Sequence, residues 1–454
     1  MGKSRKAGKS KKKILSVLDK VVEDAQKKID IETANNPNLK KAISIVEQFL
    51  RSSGRVCYGG QAINSYLPKK DQFYDPERNL PDYDFFTPNQ KQDAKELIEL
   101  FRLAGYTEIS KRVGIHEGTT KLYVNFYPIA DITEIDSEFY LHIRRKANVI
   151  NGIHYTDPLF LRMMMFLELS RPMGMISRWK KVWERLDLLD KAQPLTTCTY
   201  TRPSFLKDHA MTKVHPMIMK YILTNKRVYL GANIFAIYTK SRQSMEVKAK
   251  KLFNEIGPVI FMSHDADMDA TNLKNMIDFI GPIQVKEITG YQSILPAMIG
   301  IYHENIMLAL IVQEEACHSY FNIPVSTHVL RVASLDTFLA FLIGLYYRED
   351  DSILPINSLL CWIQIFNDLS HYYRKHPTKH IKPFSGECSG YQTSFASLLR
   401  AKGVRIEAAR QKMSEQLSKG VNSRILSKTR SRIKIRSKTK TRSRTRSKSK
   451  VDSV

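Results

Sequence analysis

Residues 58–88 read YGGQAINSYLPKKDQFYDPERNLPDYDFFTP. Its pattern of glycines, alternating residues and paired acids specifies two strands joined through a turn and a helix. RVCY at 55–58 predicts a short strand, Gly59 and Gly60 end it, AINSYL predicts a helix, and DYDFF alternates as a second strand. Successive strand side chains point to opposite faces, so Asp82 and Asp84 project from one face while Tyr83 and Phe85 pack behind. Two carboxylates held that close repel unless a cation lies between them, and a hard, oxygen-seeking ion such as Mg2+ or Mn2+ suits them.

Working outward, residues 14–53 have helical spacing, and a helix is expected from Gln90 to Leu103, ending at Gly105. LYVNFYPIADITEI reads as one long strand carrying Asp131 between Ala130 and Ile132. TDPLFLRMMMFLELSRP predicts a helix capped by Thr156 or Asp157, with Pro158 in its first turn and a stop before Pro172. The expectation is an α/β (α+β) domain with carboxylates on neighbouring strands. A lone GG is usually only a turn and a lone DxD usually a solvated face, but a strand, GG, helix, DxD strand and third Asp strand in that order make a far more specific signal. The glycines let backbone approach a phosphate, and the helix behind them aims amide donors at it. Two ions held by Asp82, Asp84 and Asp131 would lower the pKa of an attacking hydroxyl and neutralise a leaving phosphate, the equipment of phosphoryl or nucleotidyl transfer.

This order resembles the polymerase β-like nucleotidyltransferase superfamily, whose pattern is hGG or hGS, then DhDh, then a third hDh strand. YGGQAIN, the insert before LPDYDFFTP, and DPLFLRMMMFLELSRPMGMISRWKKVWERLDLL narrow the resemblance to the poly(A) polymerase catalytic subunits of large cytoplasmic DNA viruses, over roughly residues 50–195. The resemblance implies template-independent addition of adenylates from ATP to mRNA 3′ ends with release of pyrophosphate. It implies that Asp82 and Asp84 bind two catalytic Mg2+ or Mn2+ ions, that Asp131 completes the site, and that Gly59 and Gly60 hold the triphosphate. The implied partners are ATP, an RNA 3′ end, and either a second copy or a separate processivity subunit, in the host cytoplasm and away from membranes. Rival readings are a uridylyl or CCA-adding transferase and a non-catalytic RNA-binding or virion protein that retains the fold.

Arg178, Lys181 and Arg185 recur at three and four residues and share a helix face, with Trp179, Val182, Trp183 and Leu186 largely opposite. That basic face suits a triphosphate or RNA backbone, or simply solvent. Arg162, alone in an apolar Met-rich helix, is a candidate phosphate contact and equally a candidate for a buried ion pair. HDADMDA at 264–270 begins like a calcium loop, but Ala270 stands where glycine is required, so it reads as a helix start with acids at its N-terminus. HYYRKHPTKH offers His371, His376 and His380, with Cys388 downstream; the interleaved cations Arg374, Lys375 and Lys379 favour a basic, aromatic loop over zinc.

The sequence suggests an internal repeat, with chance resemblance between similar strands and helices as the alternative reading. RVCYGGQAINSYL is echoed by RVYLGANIFAIYT near 227, DYDFFTPNQKQDAKELIELF by PVIFMSHDADMDATNLKNMI, and TDPLFLRMMMF by SLDTFLAFLIG. Aligning FFTP with IFMS sets Gly257 and Val259 opposite Asp82 and Asp84, so the second copy is expected to lack the chemistry. The expected organisation is a basic disordered head at 1–13, a catalytic domain at 14–195, a degenerate second domain at 196–415 and a disordered basic tail at 416–454. The head carries seven basic residues and 424–450 carries thirteen, neither with an acid, so most of the formal charge of +26 lies at the ends, where a polyanion is the natural partner. Five scattered cysteines without a CxxC pair suit a reducing compartment, and VASLDTFLAFLIGLYY, interrupted by Asp336, reads as a buried helix rather than a membrane span.

Overall fold

The computed structural model describes residues 2–114, 118–195, 209–254, 257–291, 294–394, 396–408, 410–412 and 414. The chain divides into two compact units, Met1–Phe395 and Ala396–Val454. In the second unit residues 396–408 are helical; the expected basic tail lies outside the described residues.

The first unit holds two sheets. A long helix α1 (Gly2–Ala34) leads to α2 (Pro37–Ser53). The first sheet and its helices follow as β1 (Val56–Tyr58), α3 (Gly59–Tyr66), β2 (Tyr83–Thr87), α4 (Gln90–Leu103), β3 (Ile109–Val113), β4 (Thr119–Val124), β5 (Tyr127–Glu134), α5 (Ser137–Lys146), β6 (Asn148–Ile150), β7 (Ile153–Tyr155), α6 (Pro158–Leu169) and α7 (Trp179–Ala192). The second is built from α8 (His209–Thr224), β8 (Val228–Tyr229), α9 (Phe235–Tyr238), α10 (Met245–Asn254), β9 (Val259–Ser263), α11 (Ala266–Ile277), β10 (Ile283–Ile288), β11 (Met298–His303), β12 (Ile306–Gln313), β13 (His318–Val325), β14 (His328–Ala333), α12 (Leu335–Arg348), α13 (Ile356–Lys375) and β15 (Cys388–Ser389).

Their orders coincide: β3-β4-β5-β2-β1-β7-β6 in the first and β10-β11-β12-β9-β8-β14-β13 in the second, where β15 adds one edge strand. Directions agree at each step, with β2 parallel to β5 as β9 is to β12, and β1 antiparallel to β2 as β8 is to β9. Small features repeat too. A register shift falls between Leu122 and Tyr123 and again between Ile301 and Tyr302. Asn89 caps α4 by accepting from Gln92 N, as Asp265 caps α11 by accepting from Met268 N. Gln90 N donates to Glu134 Oε2 at 3.0 Å, and Ala266 N to Gln313 Oε1 at 3.1 Å. An ion pair on a buried aspartate recurs atom for atom, Arg55 Nε to Asp93 Oδ2 at 2.7 Å and Arg227 Nε to Asp269 Oδ2 at 2.7 Å.

Local sequence explains the elements around the first sheet. Asn36 accepts from the amides of Asn38 and Leu39, Pro37 occupies the first turn of α2, and Gly54 closes it at φ 59°. Its buried side chains Leu39, Ala42, Ile43, Val46, Phe49 and Leu50 form one helical stripe against the sheet; each of the larger ones is worth about 1.5–3 kcal/mol over exposure. The two halves meet through equivalent helices, α6 and α12: Phe160 packs edge-on against Tyr347 at 5.0 Å, and the Tyr347 hydroxyl donates to Asp157, the N-cap of α6.

Four expectations change. The head is helical as part of α1, because Lys, Arg and Ala are good helix formers and no proline interrupts them before Pro37. The long strand expected from LYVNFYPIADITEI is a hairpin, broken where Asn125 and Phe126 adopt φ 50° and 69°; Asn-Phe lacks the glycine that usually marks such a turn. The loop expected at HYYRKH is the end of α13, with His371 Nε2 2.8 Å from Asp190 Oδ2 and Arg374 Nη2 2.5 Å from Asp336 Oδ1. Cys317 and Cys388 form a disulfide, because β15 pairs with β13 and sets their Cα atoms 5.3 Å apart across 71 residues of chain. Among the described residues no helix is long and apolar enough to cross a membrane.

Candidate active site

The register of three strands assembles the carboxylates. Tyr58 of β1 pairs with Asp84 of β2, and Asp84 pairs with Asp131 of β5. Asp82 precedes β2 by one residue and shares its face with Asp84. Electrostatics record how closely the three act on one another. Burial, followed by the charges of Asp82 and Asp131, pushes the Asp84 carboxyl up to about 8, and burial with Asp131 pushes Asp82 up to about 6.

Gly59 is required by this arrangement. At φ 75° a side chain is strained, and a Cβ there would stand 2.4 Å from Asp84 Oδ2. A Cβ on Gly60 would meet the Tyr74 hydroxyl at 2.8 Å. The insert before LPDYDFF is therefore folded over the turn: Asn64 Oδ1 accepts from the amides of Phe73 and Tyr74, and Arg185 donates to the Tyr74 hydroxyl at 2.9 Å while lying 4.2 Å from the Phe73 ring centre. The first amides of α3 have no side-chain cap and stay available at the same place.

The cations of α7 and of the turn before it lie near the glycine turn, since α7 packs on α3 and the Arg178 charge reaches the Asp84 carboxyl. Val182 and Leu186 are buried as expected, which leaves Lys181 and Arg185 facing outward, while Arg178 lies on the 3-10 turn Ile176–Arg178 and its Nε stands 3.2 Å from Glu168 Oε1. Burial, then the neighbouring charges of Arg185 and Arg178, lowers the Lys181 ammonium. Cations crowded enough to depress one another suit a polyanion. Arg162 is not brought to this cleft: it is 2% exposed, its Nε donates to Asp190 Oδ1 at 2.5 Å, and the buried ion pair accounts for it.

Lys121 went unseen in the sequence. It pairs in register with Asp131, and its ammonium hydrogen-bonds Asp131 Oδ2. Its signal was the alternation of GTTKLYV, which becomes informative only once β4 is known to lie beside β5. Among the described residues no three His, Cys, Asp or Glu side chains are drawn together closely enough to hold an ion as they stand. The donor set nonetheless fits divalent cations: two desolvated carboxyls hold raised pKa values, and Asp131 Oδ1 is buried without a hydrogen-bond partner, so Lys121 alone leaves acceptor capacity and negative charge unmatched.

In the second half the same positions are empty of charge. Val56 pairs with Phe86 as Val228 pairs with Met262, so Ile260 stands where Asp84 does and Pro258 where Asp82 does. Ile260 pairs with Leu310, the counterpart of Asp131. The alignment that set Gly257 and Val259 there was one residue short, because it matched Phe85 to Ile260 by side-chain type. The turn after the strand fixes the register instead: Thr87 Oγ1 accepts from Asn89 N, and Ser263 Oγ accepts from Asp265 N.

A family model described as poly(A) polymerase catalytic subunit matches residues 44–175, which span the last part of α2, the glycine turn, all three carboxylates and α6. The match is confined to the first sheet and its helices, about three-tenths of the chain. A poly(A) polymerase catalytic subunit of Acanthamoeba polyphaga mimivirus is 27% identical over 279 residues, 60% of this chain and 45% of that one. One of African swine fever virus is 26% identical over 190 residues, 40% of each chain. The chain thus spans about half the length, or less, of the curated relatives it matches. The crystal structure of the Megavirus polyadenylate synthase superposes with a TM-score of 0.73 at 18% identity, covering 89% of this chain and 84% of that one. The fold of this chain, across both sheets, is therefore similar to the fold of that structure.

Proposed function

We propose that this protein is a polynucleotide adenylyltransferase that transfers AMP from ATP to the 3′ hydroxyl of RNA and releases pyrophosphate. The observation that carries the reading is the register placing Asp84 between Tyr58 and Asp131, with Gly59 directly against Asp84 and Asp82 on the same face of the strand. Asp82, Asp84 and Asp131 would hold two Mg2+ or Mn2+ ions, which when bound lower the pKa of a hydroxyl and neutralise phosphate charge. The protein's own groups do the rest. Gly59, Gly60 and the first amides of α3 receive phosphate oxygens without a Cβ in the way, and Arg178, Lys181 and Arg185 draw the triphosphate towards them. The RNA 3′ oxygen forms a bond to the α-phosphorus of ATP as the α–β bridging bond breaks, and the hydroxyl proton is accepted by Asp131 Oδ1, which has no other hydrogen-bond partner. The second half keeps the fold without the carboxylates, so on this reading it grips RNA or a subunit rather than catalysing.

The test is primer extension with each nucleoside triphosphate in turn. The wild-type chain is expected to lengthen oligo(A) with ATP, and Asp82→Ala/Asp84→Ala to slow it by about 10³-fold or more with an unchanged circular dichroism spectrum. Extension by the double variant at the wild-type rate defeats the proposal, and a preference for UTP or CTP moves it to another terminal transferase.

A further inference from the structure

We propose that the tip of the β4–β5 hairpin, Phe126 with Tyr127, is a stacking platform for bases of the single-stranded RNA whose 3′ end enters the carboxylate cleft; this rests on the reading above. Phe126 is 74% exposed and Tyr127 41%. Phe126 also adopts φ 69°, a left-handed conformation that costs a bulky residue free energy and that asparagine or glycine adopts readily. The second half supplies the control. Its equivalent turn holds Glu304 and Asn305 at φ 47° and 68°, so the same backbone there carries a residue suited to it. A large ring in a strained turn, with no burial to offset it, points to a contact made outside the chain.

The ground between the tip and the carboxylates favours RNA as that contact. Leu122 and Val124 are buried, so Lys121 and Tyr123 lie on the other face of β4, the face that meets Asp131. Arg112 pairs with Lys121 and lies 4.3 Å from the Tyr123 ring centre. A path of Lys121, Arg112 and Tyr123 therefore leads from Asp131 towards the tip, which stands about 16 Å away by five residues of strand. The cation–aromatic pair itself belongs to the fold, since Lys286 lies 4.6 Å from the Tyr302 ring centre in the second half. Only the first half adds a lysine opposite the aspartate, where Gly300 stands in the other, and an aromatic tip. Glu108, whose carbonyl accepts from Asn125 N, places an acid beside the turn, so the tip offers ring stacking rather than phosphate pairing.

The experiment is Phe126→Asn, the residue that the second half carries, beside Phe126→Trp. Binding of fluorescein-labelled oligo(A) is followed by anisotropy, and extension with ATP by its steady-state constants. Phe126→Asn is expected to weaken oligo(A) binding and raise the primer KM about tenfold, to leave the KM for ATP unchanged, and to change kcat less than about twofold; Phe126→Trp retains both primer constants. The Asn variant suits the turn better, so misfolding does not explain a loss, and its melting temperature verifies that. Unchanged oligo(A) affinity overturns the proposal, as does a wild-type chain that binds no oligo(A), and as does a variant that keeps RNA affinity but loses a protein subunit. Failure of the transferase reading looks different: the wild type then fails to extend oligo(A) with ATP, while the binding arm still reports on the tip.

Discussion

The two halves of the first unit share strand order, strand directions, a bulge, a capped helix and an arginine paired with a buried aspartate, yet only the first carries carboxylates at the paired positions of its two central parallel strands. What is common to both is what the fold needs, and what differs is the site. Asp82, Asp84, Lys121 and Asp131 have Pro258, Ile260, Gly300 and Leu310 as counterparts, three of them apolar or conformationally rigid and one without a side chain. Charge was placed on this scaffold for a purpose other than stability, because Ile260 and Leu310 sit in the core without any of the repulsion that raises Asp84.

The widest expected effect concerns what the halves share. Asp93 is 2% exposed and Asp269 fully buried, and each holds its arginine bidentately. Asp93→Ala strands the partly buried Arg55 guanidinium and Asp269→Ala the buried Arg227, and each is expected to cost about 3 kcal/mol, the low end for a broken buried pair, read as the shift in chemical unfolding midpoint. The two losses should be similar. A large cost in one half and none in the other breaks the equivalence of the halves as structural units.

How much of this was legible depended on whether a feature is local. The glycine turn, the alternation of DYDFF, the Asp157-Pro158 helix start and the Gln90–Leu103 helix are written in neighbouring residues, and each lies where the pattern put it. The repeat was also legible as a succession of similar segments. Its register was not, since side-chain likeness between IFMS and FFTP competes with a hydrogen bond from Ser263 or Thr87 that no residue type announces. Lys121 against Asp131, Arg162 against Asp190 and Cys317 against Cys388 are pairs made by strand or helix neighbours, from ten to 71 residues apart in the chain. The Asn125-Phe126 turn was hidden for a different reason: a residue poorly suited to the conformation occupies it.

A smaller effect separates the halves by pH. Asp84 titrates near 8 in the folded chain against an ordinary value near 4, so between those limits the folded state binds a proton that the unfolded state has lost. Stability of the metal-free protein should therefore fall as pH rises through this window, by about 2 kcal/mol because the Asp84 and Asp82 carboxyls are both raised and do not titrate independently. Asp84→Asn should flatten the dependence, and Mg2+ should oppose it by binding the ionised carboxylates. Thermal unfolding in chelator at pH 5 and pH 8.5 measures this. A stability that rises with pH and is indifferent to Asp84→Asn removes the electrostatic account of the site.

The smallest effect exchanges the two hairpin tips. Asn305→Phe asks the second half to accept the residue that the first half tolerates, and should cost about 1 kcal/mol, the low end for a bulky side chain in the left-handed region. Phe126→Asn should return about the same amount, measured by thermal unfolding of the full chain. Opposite signs of similar size show that the turns are interchangeable backbones and that Phe126 is held at a net cost to folding. If Phe126→Asn instead destabilises the chain, Phe126 contributes to the fold after all, and the difference between the two tips carries no information about what the first half binds.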